Sequence, residues 1–303
     1  MKLVDAATAD RLLDFPSLIE ALRDGHRGPI TDSGRLLLNA DADAFLAMAA
    51  WQRGSGFGVK LATVFPGNAA RGKPNIASVY VLFSDADGSV QAVIDATPLT
   101  VRKTAADSAL AADYLARRDA RTLLVVGAGA QAAWMVQAMR CVRPSIDRVL
   151  IWNRTPDRAV ALARNIGAQA VTDLASAVAE ADIISCVTAS CDPVVQGAWL
   201  KPGAHLDLVG GYTPAMREAD DAAVRRARVF VDTRWFTLKD AGDICQPLRD
   251  GVIAEADVLG DLFQLVRGEV PGRTSDSEIT LFKNAGGGHL DLMAARLIAG
   301  RLG

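Results

Sequence analysis

Residues 121–132 read Arg-Thr-Leu-Leu-Val-Val-Gly-Ala-Gly-Ala-Gln-Ala, an apolar run that ends in Gly127-x-Gly129-x-x-Ala132. A run of this kind is a buried strand, and the small residues behind it are the pyrophosphate-binding start of a dinucleotide fold. The first glycine allows a tight turn and the second lets backbone approach a diphosphate. The small third residue lets the next helix pack closely on the strand, with its N-terminus toward the negative charge. A bare GxGxxA also fits a glycine turn that serves packing alone. Here the flanks favour the nucleotide reading: a helical pattern runs from Gln131 to Met139, and a second strand, Arg148 to Trp152, ends 20 residues beyond Ala132.

From Arg121 onward strand and helix patterns alternate, as in a parallel sheet covered on both faces. Strands are expected at 122–126, 148–152, 168–171, 182–187, 205–209 and 228–232, with helices at 130–142, 156–166 and 174–180, the last capped by Asp173. The segment before Arg121 differs. It opens with a helical pattern, Phe15 to Arg23, and continues with runs at 35–38, 44–49, 57–65, 76–83 and 90–94. Turn signals such as Pro66-Gly67-Asn68 and Asp85-Ala86-Asp87-Gly88 separate them, which implies an open, largely antiparallel or mixed sheet. A long helix, Thr104 to Arg117, leads into the nucleotide domain. Leu290 to Leu302 is again helical, with Leu292, Met293, Ala295, Leu297 and Ile298 as its apolar members. The fold class is therefore α/β: a Rossmann-type doubly wound parallel sheet over 119–279, and a second, α+β domain over 1–118 to which 280–303 returns.

The 303 residues, 50 % hydrophobic and 22 % charged, can bury two ordinary cores. A net charge of −2 gives no concentrated basic face for nucleic acid or anionic membrane. No apolar run approaches the roughly 18 residues that cross a bilayer, and Met1-Lys2-Leu3-Val4-Asp5 does not open like a secretory signal, so the expected location is the cytoplasm. Cys141, Cys186, Cys191 and Cys245 form no CxxC pair and the three histidines lie far apart, so no metal site is expected. Cys186, inside an apolar run, reads as a buried thiol. His289 reads as structural or cofactor-contacting rather than as a proton carrier.

The second strand ends in Ile151-Trp152-Asn153-Arg154-Thr155. An acidic residue here would bind the ribose 2′-hydroxyl of NAD and repel the 2′-phosphate of NADP; none is present, and Arg154 offers a planar cation suited to phosphate. NADPH is the expected cofactor, with NADH possible. Thr155-Pro156, followed by Asp157, also fits a helix cap, which leaves Arg154 free. Two cationic features stand in apolar company. Lys60, in Phe57-Gly58-Val59-Lys60-Leu61-Ala62, shares a strand face with Gly58 and Ala62; it either snorkels to water or meets an anion. Arg102-Lys103 precede the helix expected from Thr104, where cations are disfavoured unless an anion binds beside them. Solvated loop cations are the alternative. Arg35 is a weaker candidate.

The chain resembles the ornithine cyclodeaminase and mu-crystallin family over nearly its whole length. The matching stretches are Gly58-Val59-Lys60-Leu61 through Pro66-Gly67-Asn68, Thr100 to Ser108, Val126 to Gln131, Trp152 to Thr155, Val187-Thr188-Ala189, Val209-Gly210-Gly211 and Ile279 to Phe282. The resemblance implies a Rossmann domain joined to a substrate and dimerisation domain in a homodimer. It makes Lys60 the active-site lysine and Arg35 a cation for the substrate carboxylate. Asn75, Thr104, Gly127, Gly129, Ala130, Gln131, Asn153, Arg154, Thr155, Thr188 and Val209 fall where the family binds its cofactor, and Asn284 and Ala285 near nicotinamide and substrate.

Two departures separate the family's reactions. The usual Arg-Thr-Ala-Ala is Lys103-Thr104-Ala105-Ala106 here, with Arg102 one place earlier, so the carboxylate clamp falls to Lys103 as a point charge or to Arg102 swinging in. Cyclodeaminases and alanine dehydrogenases of the family carry an aspartate where Tyr212 stands, and tyrosine cannot supply its charge at neutral pH. A cyclic imine needs no such carboxylate. The stretches Arg102 to Ser108, Tyr212 to Asp221 and Val231-Asp232-Thr233-Arg234 look like those of the branch of proline metabolism that reduces Δ1-pyrroline-2-carboxylate to L-proline, or Δ1-piperideine-2-carboxylate to L-pipecolate. The alternatives are an ornithine cyclodeaminase or amino-acid dehydrogenase, and an NADPH-dependent small-ligand binding protein of crystallin type.

Overall fold

The computed structural model describes residues 1–29 and 32–302. Residues 30, 31 and 303, which the sequence-derived bounds 1–118 and 280–303 include, lie outside the described residues. The chain divides into two compact units, Met1–Thr104 with Gly287–Gly303, and Ala105–Gly286.

The first unit begins with β1 (Lys2–Val4), α1 (Ala6–Leu12) and α2 (Phe15–Arg27). Asp5 and Asp14 cap the two helices, accepting from Thr8 N at 2.8 Å and Ser17 N at 2.9 Å. Then come β2 (Asp32–Ala40), β3 (Asp43–Gln52), β4 (Gly56–Val64), β5 (Ile76–Phe83) and β6 (Val90–Asp95). They form a six-stranded sheet in the order β1-β6-β5-β4-β3-β2, antiparallel except for the β1–β6 pair. Its register sets Arg35 opposite Met48, Met48 opposite Lys60, and Lys60 opposite Tyr80, so all four project from one face. The other face carries Leu36, Leu38, Phe45 and Trp51, all exposed.

α3 (Thr97–Leu115) starts about two turns earlier than the sequence implies. Asp95 Oδ1 accepts from Thr97 N at 3.0 Å, and Pro98 suits the first turn, where no intrahelical donor is missed. Arg102 and Lys103 therefore sit in the second turn, behind the open amides, and the helix-terminus argument for an anion beside them does not hold.

The second unit continues with β7 (Thr122–Val126), α4 (Ala132–Val142), β8 (Arg148–Trp152), α5 (Pro156–Ile166), β9 (Gln169–Val171), α6 (Leu174–Glu180), β10 (Ile183–Cys186), β11 (His205–Leu208), α7 (Asp221–Arg226), β12 (Ala227–Val231), α8 (Arg234–Asp240), α9 (Gly242–Arg249), β13 (Val258–Asp261), α10 (Leu262–Arg267) and β14 (Ile279–Lys283). The eight strands pair in parallel in the order β13-β12-β14-β11-β10-β7-β8-β9. Leu124, Val126, Leu150, Ile184, Cys186, Leu206 and Leu208 are among the side chains of its core. The chain winds outward from β7 to β9 and returns to β10 on the other side of β7. That reversal opens a crevice at the carboxyl ends of β7 and β10, where doubly wound sheets bind ligands.

Elements α7 to α10 and β13, which the sequence reading left unassigned, are each only four to eight residues long, too short for periodicity to reveal. Residues 280–283 were expected to join the C-terminal return. They instead belong to strand β14, paired on both sides in the middle of the parallel sheet. The return is α11 (Gly288–Gly300), which packs on α2, β3 and β4 in the first unit. Among the described residues no helix is long and apolar enough to cross a membrane.

Candidate active site

Along the carboxyl edge of the parallel sheet each strand end is tied to its neighbour. Gly127 N donates to Trp152 O, Val187 N to Val126 O, Val209 N to Cys186 O, and Asn284 N to Leu208 O, at 2.8–2.9 Å. Gly127 adopts φ +116, open to glycine alone at little cost, and a Cβ there would lie 3.0 Å from Val187 O. Gly129 has nothing within 4 Å of its missing side chain, and Gln131 makes no side-chain cap at the start of α4. The turn thus presents backbone and an unblocked helix N-terminus to the open crevice, which fits a cofactor diphosphate. Ala130 stands exposed beside it. Asn153 Oδ1 accepts from Ala128 N at 3.1 Å and its Nδ2 donates to Thr155 O at 2.9 Å, so this side chain braces the glycine turn against the loop after β8. Arg154 is exposed and forms no ion pair among the described residues. Thr155 occupies the N-cap position of α5 ahead of Pro156 without a side-chain capping bond.

Further along the same edge, Thr188 donates from N and Oγ1 to Glu218 Oε1 at 2.6 and 2.9 Å, and Val209 is half-buried. Asn284 is buried, and its Nδ2 donates to Ser108 Oγ at 3.0 Å. That hydroxyl donates to Asp207 Oδ1 at 2.8 Å, and Ser185 Oγ donates to Asp207 Oδ2 at 2.7 Å. Burial pushes the Asp207 carboxyl up to about 6, although both serines favour its charged form. Ala285 and Gly286 donate from their backbone N to Asp232 Oδ2 at 2.9 and 2.7 Å, and Thr233 N and Thr237 Oγ1 donate to Oδ1. Asp232 therefore fixes the loop that carries Asn284 and Ala285. Cys186 is fully buried, and burial raises its thiol far from the reactive range, as a packed core thiol requires.

In the first unit, Lys60 lies on the buried face of β4, with Gly56, Gly58 and Ala62. Its Nζ is 3.1 Å from Oδ1 and 3.0 Å from Oδ2 of Asp291, on the first turn of α11, and both side chains are almost wholly shielded from solvent. The snorkelling alternative is excluded, because this face turns inward. Tyr80, opposite Lys60, is buried with its hydroxyl near the Asp291 charge; burial and that charge hold its pKa well above the usual value. Arg35 is exposed on the edge strand in the same row. Arg102 donates to Asp10 Oδ1 from Nε at 2.8 Å and from Nη2 at 2.7 Å, and from Nη1 to Leu13 O at 3.1 Å. Lys103 is buried, while Thr104 Oγ1 donates back to Thr100 O at 3.0 Å. Asn75 is exposed in the loop before β5. His289 is buried edge-on to His26 with ring centroids 5.6 Å apart; burial, then His26 and Lys103, push it well below the usual imidazole value.

The sequence reading missed Asp291, Asp232, Asp207 and Glu218. Asp291 left one signal, a carboxylate between Leu290 and Leu292-Met293 on an otherwise apolar helix.

A model of the ornithine cyclodeaminase/mu-crystallin family matches residues 7–302. The chain is 45 % identical over 292 residues to a Δ1-pyrroline-2-carboxylate reductase of Paracoccus denitrificans, covering 95 % of this chain and 92 % of that one. It is also similar to the structure of Thermococcus litoralis Δ1-pyrroline-2-carboxylate reductase in complex with NADH and L-proline: TM-score 0.92, 28 % identity, covering 99 % of this chain and 97 % of that one. An archaeal alanine dehydrogenase dimer with bound NAD is likewise similar, with TM-score 0.92 and 25 % identity over 99 % of this chain and 95 % of that one. The chain therefore belongs to the ornithine cyclodeaminase/mu-crystallin family.

Proposed function

We propose that the protein is an NAD(P)H-dependent reductase of cyclic α-imino acids, converting Δ1-pyrroline-2-carboxylate to L-proline or Δ1-piperideine-2-carboxylate to L-pipecolate. The observation that carries this reading is the buried Lys60 ammonium, held against Asp291 in the same cross-strand row as Arg35. The similarity to pyrroline-carboxylate reductases supports it. Asp291 balances the charge of Lys60, and Arg35 and Lys103 are the further cations offered to a substrate carboxylate. Arg102 is committed to Asp10 and Leu13, which favours Lys103 in the clamp. A carboxylate held by these groups orients the C=N carbon, and Lys60 Nζ, directly or through water, keeps the imine nitrogen protonated. The bound reduced nicotinamide supplies the hydride. Tyr212, half-exposed after Gly210-Gly211, offers no carboxylate for expelling ammonia from ornithine. One ring methylene is worth only about 1–3 kcal/mol, so both ring sizes are expected as substrates.

The cofactor is held along the carboxyl edge of the parallel sheet, with Arg154 on the 2′-phosphate of NADPH, its preferred form. The uncovered sheet face around Leu36, Leu38, Phe45 and Trp51 seats a second copy in a homodimer, and the protein works in the cytoplasm. Steady-state oxidation of NADPH and NADH with both ring sizes tests the function, beside ammonia release from ornithine. Imine-dependent oxidation supports it; ammonia release at catalytic rates, or cofactor binding without oxidation, overturns it. In the same assay Lys60→Ala is expected to lose at least about a hundredfold in turnover while keeping its cofactor affinity. Near-normal turnover would remove Lys60 from the mechanism.

A further inference from the structure

Glu218 is fully buried and bridges two loops of the carboxyl edge. Its Oε1 accepts from Thr188 N at 2.6 Å and Thr188 Oγ1 at 2.9 Å, beyond β10. Its Oε2 accepts from Gly210 N at 2.6 Å, beyond β11. A side chain at Gly210 would run into Thr188 O and Glu218 Oε1, so the two loops touch through backbone with the carboxylate wedged beside them. Behind it, Asp243 on α9 accepts from Glu218 N at 2.7 Å through Oδ1 and pairs with Lys283 Nζ of β14 at 2.9 Å through Oδ2. Asp243 and Lys283 are fully buried too. Cys186 at the end of β10 also senses Glu218.

We propose that Glu218 is a positioning residue for the cofactor: its ionised carboxylate clamps the Thr188 and Gly210 loops together, and its protonation loosens cofactor binding. An ionised carboxylate can accept all three hydrogen bonds, whereas a neutral carboxyl must place an O–H: on Oε2 it faces the Gly210 amide, a donor, and on Oε1 it must reverse the Thr188 Oγ1 contact, so the clamp weakens. Two carboxylates share one ammonium in a fully buried site, which leaves one negative charge uncompensated. Burial and then Asp243 push Glu218 up to about 7, while Lys283 opposes them. The inference rests on the cofactor lying on this edge, as proposed above, but not on any particular substrate.

The test is titration of the wild-type protein with NADH, followed by nicotinamide fluorescence, from about pH 6 to pH 9. NADH avoids the 2′-phosphate of NADPH, which itself titrates near neutrality, as phosphate monoesters do. Below about pH 7 the dissociation constant should rise, by up to tenfold per pH unit. Glu218→Gln should bind weakly with no such dependence. Asp243→Asn, which removes the opposing negative charge, should move the onset to lower pH. In cofactor-free wild type, the amide proton resonances of Thr188 and Gly210 should titrate together with the same midpoint. That readout stands even if Glu218→Gln fails to fold. A Glu218→Gln protein that keeps the wild-type pH dependence, or amides that do not titrate, would overturn the proposal. NADH binding that follows this pattern without any imine reduction would leave the clamp standing and defeat the reductase reading instead.

Discussion

The Lys60–Asp291 pair shows how one residue's environment decides its role. An ammonium set into apolar packing is tolerated because a carboxylate meets it, and removing either partner strands a buried charge. Asp291→Asn should therefore cost about 3–5 kcal/mol in urea unfolding. Lys60→Met combined with Asp291→Leu should recover most of that loss while abolishing turnover. A single variant within a few tenths of wild type would show the pair to be solvated. Lys60 stood out in the sequence because a cation among apolar residues is costly, and Arg154 because the acidic residue of NAD-binding folds is missing. Asp291 did not, since its partner lies 231 residues away and only the fold joins them. For Arg154, replacement by alanine should weaken NADPH binding about 10–100-fold, the worth of a charged hydrogen bond, and leave NADH nearly unaffected. Equal losses for both cofactors would place Arg154 away from the 2′-phosphate.

Among the elements, long periodic ones were legible and short or fully buried ones were not. β7, β8 and α5 begin and end where apolar runs, Gly127 and Pro156 place them. β14 escaped notice because Ile279-Thr280-Leu281-Phe282-Lys283 is buried on both faces and ends in a lysine, which reads as a surface residue until Asp243 is found beneath it. The start of α3 was missed because Pro98 looks like a breaker, although proline is well suited to a first turn. β11 carries a pH signature of its own. Asp207, ordinarily near 3.8, stands at about 6, so its native form holds a proton that the unfolded chain releases. Its contribution to stability is complete below 3.8 and is lost as pH rises to about 6. His205 on the same strand runs the other way: burial lowers it from 6.5 to about 3, and its contribution is lost as pH falls through that window. Asp207→Asn should thus gain about 2 kcal/mol relative to wild type between pH 4 and pH 7 in denaturant unfolding. A pH-independent difference would mean that Asp207 ionises normally.

At the level of the whole molecule, two sheets divide the labour proposed for this chain: a parallel one whose carboxyl edge suits a dinucleotide, and a mostly antiparallel one bearing the cationic row. The doubly wound topology could be read from alternating patterns, whereas the uncovered face of the antiparallel sheet could not, because half-buried strands alternate in the same way whatever later covers them. Leu36 and Leu38 are 52 % and 54 % exposed on that face. Replacing both with aspartate should reduce the proposed homodimer to a monomer in the molecular mass measured by light scattering; an unchanged dimer would place the interface elsewhere. The most direct measurement for the proposed chemistry follows the transferred hydrogen. Incubation of Δ1-pyrroline-2-carboxylate with cofactor deuterated at the reactive face of nicotinamide C4 should yield L-proline carrying one deuterium at Cα. Proline without deuterium at that carbon, or no proline at all, would contradict hydride transfer to a cyclic imine.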